Sequence, residues 1–219
     1  MLKRRAVLTA GAFAFSGTIL SLIVGCDKTD LLTVEGGQLR WSSTLPGHGW
    51  IGGNADQIKS AIASMQKIES NKDLGNMLGY MVTKVGDLDV YLLNSEDHGI
   101  KPTQIKATLY NNSTDIKNEQ YLSSLAKNLA DSEVKSAVAG TKAFVETQKF
   151  TTTAGRPAAT IVVRVFLKND DSSVYHLVFH LVRLDESRWH TFRFEVDSRF
   201  FVARYNEFNQ MLDAIRYSS

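Results

Sequence analysis

The segment Gly47-His48-Gly49-Trp50-Ile51-Gly52 places a histidine and a tryptophan between glycines in the spacing G-x-G-x-x-G. In dinucleotide-binding proteins this spacing follows a buried parallel strand and opens a helix whose N-terminus binds a pyrophosphate. Residues 40–44 argue against that use, because an arginine and three hydroxyl residues do not make the apolar run of such a strand. Pro46 also stands where the strand would enter the turn. We therefore interpret this glycine loop as one that either packs Trp50 or exposes His48 and Trp50 to a partner.

Two further groups of residues carry potential metal ligands. His176 and His180 are four residues apart, and in a strand they would share a face at a separation of about 13 Å. We expect this to be the less buried face of the sheet, with Tyr175, Leu177, Phe179 and Leu181 facing the core. Zinc needs ligands at about 2 Å, so this pair cannot hold one ion. Glu96-Asp97-His98 has no second set of ligands in the sequence pattern, which favours a polar turn. The sequence predicts no metal site and no cofactor.

Aromatic residues concentrate near the C-terminal end, at Trp189, Phe192, Phe194, Phe200, Phe201, Tyr205 and Phe208. A helix packed on a sheet explains most of this cluster, and the remainder would suit an exposed docking patch. The arginines at 188, 193, 199 and 204 lie among these aromatics and are typical of the rim of such a patch. We expect His48, Trp50, Arg199 and Arg204 to contact another protein.

No sequence signature of a common enzyme is present. The motifs G-x-S-x-G, H-E-x-x-H and the phosphate-binding P-loop do not occur, so we assign no catalytic residue and predict a protein that is not an enzyme. The alternative is a small-ligand-binding protein or a hydrolase with its site at the His48 glycine loop. That alternative requires an apolar pocket beside the loop.

The N-terminus has the composition of an export signal. Lys3, Arg4 and Arg5 precede a stretch from 6 to 24 without charged residues. The residues Leu22-Ile23-Val24-Gly25-Cys26 resemble the lipobox of bacterial lipoproteins. This resemblance implies cleavage before Cys26 and acylation of its thiol, for example by palmitate, which would tether the chain to a membrane. In enterobacterial lipoproteins an acid at the position of Asp27 implies retention in the inner membrane, on its periplasmic face.

Composition then limits the partners. Once the three basic residues of the signal are removed, the 25 Lys and Arg no longer outnumber the 23 Asp and Glu, and the net charge is slightly negative. A nucleic-acid partner is therefore not expected. Cys26 is the only cysteine, so the fold depends on its core and not on disulfides. We divide the chain into a signal peptide over 1–25, a lipidated tether over 26–37 and a single domain over 38–219.

The periodicity of apolar residues predicts an α+β domain. Helices are expected at 55–69, where Asn54 and Gln57 suggest a capping box, at 118–130, and from Phe201 to Ile215. Strands are expected at 39–45, 90–93, 104–110, 144–152, 160–167, 175–184 and 189–196. Residues 74–93 fit either a short helix or strands joined at Gly86-Asp87. The last four strands form an antiparallel meander between two helices, which gives a sheet packed against helices.

The order of these elements resembles the PsbP/DcrB-like fold of photosystem accessory proteins and bacterial envelope lipoproteins. The element Leu45-Pro46-Gly47-His48-Gly49-Trp50 is similar to an early Leu-Pro then Gly-Trp element of that family. The strand and aromatic-rich helix from Phe192 to Tyr217 match its C-terminal pattern, and the resemblance covers residues 38–217. It implies a non-catalytic accessory or assembly role and no catalytic residues. The helical pattern in 55–85 departs from the family.

Overall fold

The computed structural model describes residues 33–36, 39–65, 88–99, 101–111, 118–136, 140–167 and 173–218. Within these ranges the strands are β1 (Thr33–Glu35), β2 (Trp41–Thr44), β3 (Trp50–Gly53), β4 (Val90–Asn94), β5 (Gln104–Asn111), β6 (Thr141–Thr153), β7 (Arg156–Leu167), β8 (Ser173–Arg183), β9 (Arg188–Asp197) and β10 (Arg216–Tyr217). The helices are α1 (Ala55–Met65), α2 (Glu119–Ser136) and α3 (Phe201–Asp213). The helix or turn expected from Leu74 and the strand junction at Gly86-Asp87 lie outside the described residues.

Seven of the strands form one antiparallel sheet in the order β3-β4-β5-β9-β8-β7-β6. Each of the strands β6, β7 and β8 pairs with the next one along the chain. The β5–β9 pair joins this run to β3 and β4, with Tyr110 opposite Trp189. The prediction of an antiparallel sheet packed against helices is confirmed.

A second sheet contains β1, β2 and β10. Its central strand pairs Ser43 with Val34 on one side and Trp41 with Tyr217 on the other. We interpreted residues 26–37 as a tether. The C-terminal end of this segment has to be corrected, because Thr33–Glu35 is a strand. Val34 is only 2% exposed, and a tripeptide with one apolar residue gives too short a pattern to reveal this from sequence.

Helices and strands cover both faces of the seven-stranded sheet. On one face, α3 and the small sheet enclose a core that contains Trp41, Phe192, Phe194, Phe208 and Ile215. On the other face, α2 places Leu122, Ala126 and Ala130 against residues of β7, β8 and β9. Trp189 belongs to this second core and Phe192 to the first, so the C-terminal aromatics divide between the two faces.

This arrangement corrects the expected position of the two histidines of β8. We expected His176 and His180 on a less buried face, whereas they are 4% and 2% exposed beneath the α3 layer. The residues predicted to face the core do so on the α2 side, at Tyr175, Leu177, Phe179 and Leu181. Alternation along a strand separates two faces but does not show whether a second layer covers the polar one.

Local sequence explains how the helices begin. Asn54 Oδ1 accepts from the amide of Gln57 at 2.9 Å, and Gln57 Oε1 accepts from the amide of Asn54 at 2.9 Å. This reciprocal pair satisfies two amides that the first turn of α1 leaves unpaired, so the predicted capping box is confirmed. Asn118 caps α2 in a similar way, since its Oδ1 accepts from the amide of Gln120 at 2.9 Å.

Several boundaries differ from the predicted ones. α2 continues to Ser136, six residues past the expected end at Ala130, and residues 66–69 of the first predicted helix lie outside the described residues. The β6–β7 turn consists of Ala154 and Gly155 at positive φ (51° and 72°), so Pro157 belongs to β7. Two-residue hairpins favour such turns because their twist matches that of the strands. Trp50–Gly53 is a strand and not part of a loop, which shortens the glycine loop to residues 46–49.

Candidate functional site

His48 and Glu96 lie in contact at the surface, where the loop before β3 meets the loop after β4. His48 Nδ1 lies 2.5 Å from Glu96 Oε1, and the two side chains are 76% and 45% exposed. Asn94 holds the two loops together, because its Nδ2 donates to the carbonyl of His48 at 3.3 Å and its Oδ1 accepts from the amide of Glu96 at 3.0 Å. The imidazole of His48 is therefore held at the surface by a fixed backbone.

Gly49 permits this turn. Its φ of +78° lies in the left-handed region, which glycine adopts without steric cost. A Cβ at this position would also meet the carboxyl carbon of Glu96 at 2.7 Å. The Gly49 carbonyl accepts from the Ser95 amide at 2.8 Å and from its hydroxyl at 2.9 Å. The glycine is thus required where the two loops approach each other.

Trp50 is 3% exposed and does not offer its ring to a partner. Its Nε1 donates to Glu207 Oε2 at 2.8 Å, and its ring lies 6.4 Å from that of Phe194 between ring centroids. Of our two interpretations of the glycine loop, the one that packs Trp50 holds. Glu207 then links this buried indole to the outer surface of α3.

Arg204 lies at the centre of a largely buried ion-pair cluster. Its Nη2 donates to Asp97 Oδ1 at 2.9 Å, and its Nη1 donates to Glu207 Oε1 at 2.7 Å. Its Nη2 is also 3.8 Å from Glu96 Oε2. The hydrogen bond to Asp97 is the largest cause that raises the pKa of Arg204 above its ordinary value. Arg204 therefore serves to join α3 to the loop after β4, with 15% of its side chain exposed.

Arg199 extends the same region toward solvent. Its Nε donates to Asp197 Oδ1 at 2.9 Å and its Nη2 to the carbonyl of His98 at 3.2 Å, while 63% of its side chain is exposed. The hydrogen bond to Asp197 raises the pKa of this guanidinium. Three residues later, at the start of α3, Val202 is 75% exposed. We call the exposed residues His48, Glu96 and Arg199 the His48 surface.

The four residues predicted to contact a partner thus come together around one loop, Ser95–Gly99. Two of them, His48 and Arg199, lie on the His48 surface, while Trp50 and Arg204 are buried beneath it. The sequence reasoning missed Asp97 and Glu207, which connect the buried pair. A polar turn and a glutamate in a helix carry no signal of that pairing, since their partners are distant in the sequence.

His176 and His180, the two histidines of β8, are buried elsewhere in the fold. His180 shares hydrogen bonds with Thr153 at 2.7 Å and Thr160 at 2.9 Å. His176 stacks on Phe201 with 3.9 Å between ring centroids. Burial is the main cause that lowers the pKa of each histidine to about 4. Both side chains are therefore neutral at pH 7 and serve the core.

His190 forms a buried chain of polar groups with Tyr217 and Asp89. Its Nδ1 lies 2.9 Å from the Tyr217 hydroxyl, and its Nε2 lies 3.5 Å from Asp89 Oδ2. Trp41 Nε1 donates to the same carboxylate oxygen. Burial lowers the pKa of His190 and raises that of Tyr217, so the Tyr217 hydroxyl remains protonated and shares a hydrogen bond with the imidazole. This chain fixes β10 and does not activate a nucleophile.

Among the described residues, no group of three or more histidine, cysteine or acidic side chains has the arrangement of a metal site. A cavity of about 470 Å³ opens on the α2 face of the sheet, and none of residues 46–53 lines it. This cavity is therefore not the apolar pocket that the ligand-binding or hydrolase alternative requires beside His48.

Comparison with known proteins supports the fold alone. No protein-family model and no curated protein matches the sequence. The solution structure of the cyanobacterial PsbP protein CyanoP from Synechocystis sp. PCC 6803 is similar with a TM-score of 0.55 at 10% identity, over 89% of this chain and 96% of that one. The Ran-binding protein Mog1p of Saccharomyces cerevisiae has a TM-score of 0.45 at 12% identity, over 81% and 89% of the two chains. The chain therefore has a PsbP-like fold.

Proposed function

We propose that the chain is a lipoprotein of a bacterial cell envelope, tethered through Cys26 to the periplasmic face of a membrane, where it acts as a non-catalytic accessory protein. The lipobox-like residues Leu22–Cys26 support the tether. Within the described residues, no helix has the length and apolar character needed to cross a membrane. Attachment through acyl chains on Cys26 would be sufficient, since two chains give lasting membrane binding.

In this proposal the accessory role is to bind another envelope protein through the His48 surface. The observation that carries the proposal is a set of exposed polar and charged side chains that are held in place. Arg199 is positioned by Asp197 and His98, and His48 by Glu96. A pre-positioned polar rim loses little side-chain entropy on association, and arginine is enriched in protein interfaces.

The buried ion-pair cluster supports the same role. Arg204 and Glu207 hold the two loops against α3, so that His48, Glu96 and Arg199 keep one relative arrangement. Partner-binding residues on loops are effective when a rigid scaffold positions them.

Site-specific photo-crosslinking in native envelopes tests the proposal. A photoreactive amino acid replaces His48 or Arg199 in the full chain, and the control position is Arg188, at the opposite end of β9. Arg188 is also exposed and ion-paired, with Asp185 at 2.5 Å. We expect His48 and Arg199 to yield one common crosslinked protein that position 188 does not yield. Equal products at all three positions, or none at 48 and 199, would contradict it.

A further inference from the structure

A cavity of about 470 Å³ lies between α2 and the strands β5, β8 and β9. Its volume falls within the range of about 300–1,000 Å³ that small-molecule sites occupy. One wall consists of Tyr121, Leu125 and Leu129 of α2, and Phe179 and Leu181 of β8 contribute to the sheet side. The cavity lies on the opposite face of the sheet from the α3 layer.

The floor of the cavity is graded from charged to aromatic along the β5–β9 pair. Three cross-strand pairs line it in succession, Lys106 opposite Arg193, Thr108 opposite Thr191, and Tyr110 opposite Trp189. Residues on one face recur every second position, so the three pairs are spaced about 7 Å apart along the strands. The cavity therefore has a cationic end, a hydroxyl-lined middle and an aromatic end.

The cationic end has hydrogen-bond donors to spare. Lys106 Nζ donates to Glu195 Oε1 at 3.0 Å, and Arg193 Nη2 donates to Glu133 Oε1 at 2.6 Å, but neither glutamate lines the cavity. Arg193 Nε is buried and makes no well-directed hydrogen bond, although Glu195 Oε1 is 2.9 Å away. Glu195 Oε1 therefore already lies within 3.0 Å of a nitrogen of each cation and offsets the repulsion between them. An ammonium group has three N–H donors and a guanidinium has five, so both side chains keep donors for a ligand carboxylate.

The aromatic end of the cavity determines which kind of ring the ligand carries. Four aromatic side chains line the cavity, at Tyr110, Tyr121, Phe179 and Trp189. Rings in offset or edge-to-face contact gain about 0.5–1.5 kcal/mol beyond the burial of apolar area. The guanidinium of Arg193 already lies over the Phe179 ring at 5.4 Å, so the cation and the aromatic wall are adjacent. A flat ring with one acidic group fits this sequence of surfaces.

We propose that this cavity binds a small aromatic carboxylate, with the carboxylate between Lys106 and Arg193 and the ring between Trp189 and the leucines of α2. Nothing in this proposal depends on the partner-binding role of the His48 surface. Naphthoate, which has thirteen heavy atoms, is a suitable probe, since its fused bicyclic ring spans the hydroxyl-lined middle and the aromatic end of the cavity.

Isothermal titration calorimetry on the full chain in lipid nanodiscs tests the proposal, with empty nanodiscs as the blank. We expect 2-naphthoate to bind and 2-naphthylmethanol, which has the same ring but no charge, to bind about tenfold more weakly or worse. Lys106→Met should weaken naphthoate binding to the level of the alcohol. Lys127→Met is the matched control, because Lys127 is an exposed lysine of α2 that does not line the cavity, and it should leave binding unchanged.

A second measurement places the ligand without relying on a variant that folds. The chain has three tryptophans, of which Trp189 lines the cavity while Trp41 and Trp50 pack in the core on the other face. In NMR spectra of the ¹⁵N-labelled indoles, naphthoate should shift the Trp189 signal and leave the other two. Absence of heat with naphthoate, equal affinity for the alcohol, equal weakening by Lys127→Met, or an unshifted Trp189 signal would each overturn the proposal.

Discussion

Arg204 of α3 and Asp97 of the loop after β4 form a bidentate ion pair between positions 107 residues apart. Nη2 lies 2.9 Å from Oδ1 and Nε lies 3.0 Å from Oδ2, and only 15% and 4% of the two side chains are exposed. Two parallel N–H···O bonds fix both the distance and the orientation of the partners. The pair therefore determines how α3, which begins two residues after Arg199, is seated beside the loop that carries Glu96.

Removal of Arg204 should destabilise the protein strongly. In Arg204→Ala the carboxylate of Asp97 stays buried without its cation, and we expect the free energy of unfolding to fall by about 3 kcal/mol. Urea denaturation measures this loss. The control is Arg188→Ala, which removes an exposed pair with Asp185 and should cost much less. Equal losses in the two variants would show that the buried pair contributes no more than an exposed one.

The buried histidines should make the fold sensitive to acid. His176 and His180 have pKa values near 4 in the folded chain and about 6.5 when unfolded. Between these values the unfolded chain binds more protons, so the free energy of unfolding decreases as the pH falls. From pH 7 to pH 5 we expect a loss of about 2 kcal/mol for each histidine.

Comparison with His180→Gln isolates this effect. Glutamine can hydrogen bond to Thr153 and Thr160 but does not titrate, so the variant should lose less stability than the parent between pH 7 and pH 5. Between pH 8 and pH 7 the two profiles should run parallel. Thermal unfolding at each pH provides the measurement, and parallel profiles over the whole range would refute the assigned role of His180.

Tyr217→Phe should loosen the C-terminal strand. The substitution leaves the buried Nδ1 of His190 without its hydrogen-bond partner, which costs about 1–2 kcal/mol. The amide of Ser218 donates to the carbonyl of Arg40 at 2.9 Å, so its hydrogen exchange reports on β10 directly. We expect faster exchange there in Tyr217→Phe and no change in Tyr110→Phe, since the side chain of Tyr110 is 53% exposed. Unchanged exchange at Ser218 would mean that the pairing with β2 suffices to hold β10.

Cys26→Ser should release the protein from the membrane. We expect the native product to begin at residue 26 with acyl chains on its sulfur, and the serine variant to retain residues 1–25 without acylation. Intact-mass spectrometry of the protein from its native host measures both properties. A native product that begins at Met1, or a residue 26 without fatty acid, would remove the basis for the proposed tether.

The local elements could be predicted from sequence because their signals involve few neighbouring residues. The capping box of Asn54 and Gln57 fixed the start of α1, and strict alternation from Tyr175 to Leu181 marked β8. The glycine loop was less well predicted, because Trp50–Gly53 becomes a strand only by pairing with β4. Such a pairing stabilises four residues whose own sequence, with two glycines, does not favour a strand.

For the candidate site, too, the sequence predicted some features and missed those that depend on distant partners. The sequence singled out His48, Trp50, Arg199 and Arg204, and the structure brings all four to one loop. It did not predict which would be exposed, because that depends on Asp97 and Glu207, whose importance follows only from the partners that folding places beside them.

The sequence by itself determined the identity and approximate bounds of the helices and most strands, since hydrophobic period and capping act over a few residues. Only the tertiary structure decided that β5 lies beside β9, that a second layer buries His176 and His180, and that a cavity remains under α2. These features depend on which faces meet across more than eighty residues of chain between Lys106 and Arg193, and the free energy of such contacts is absent from any local pattern.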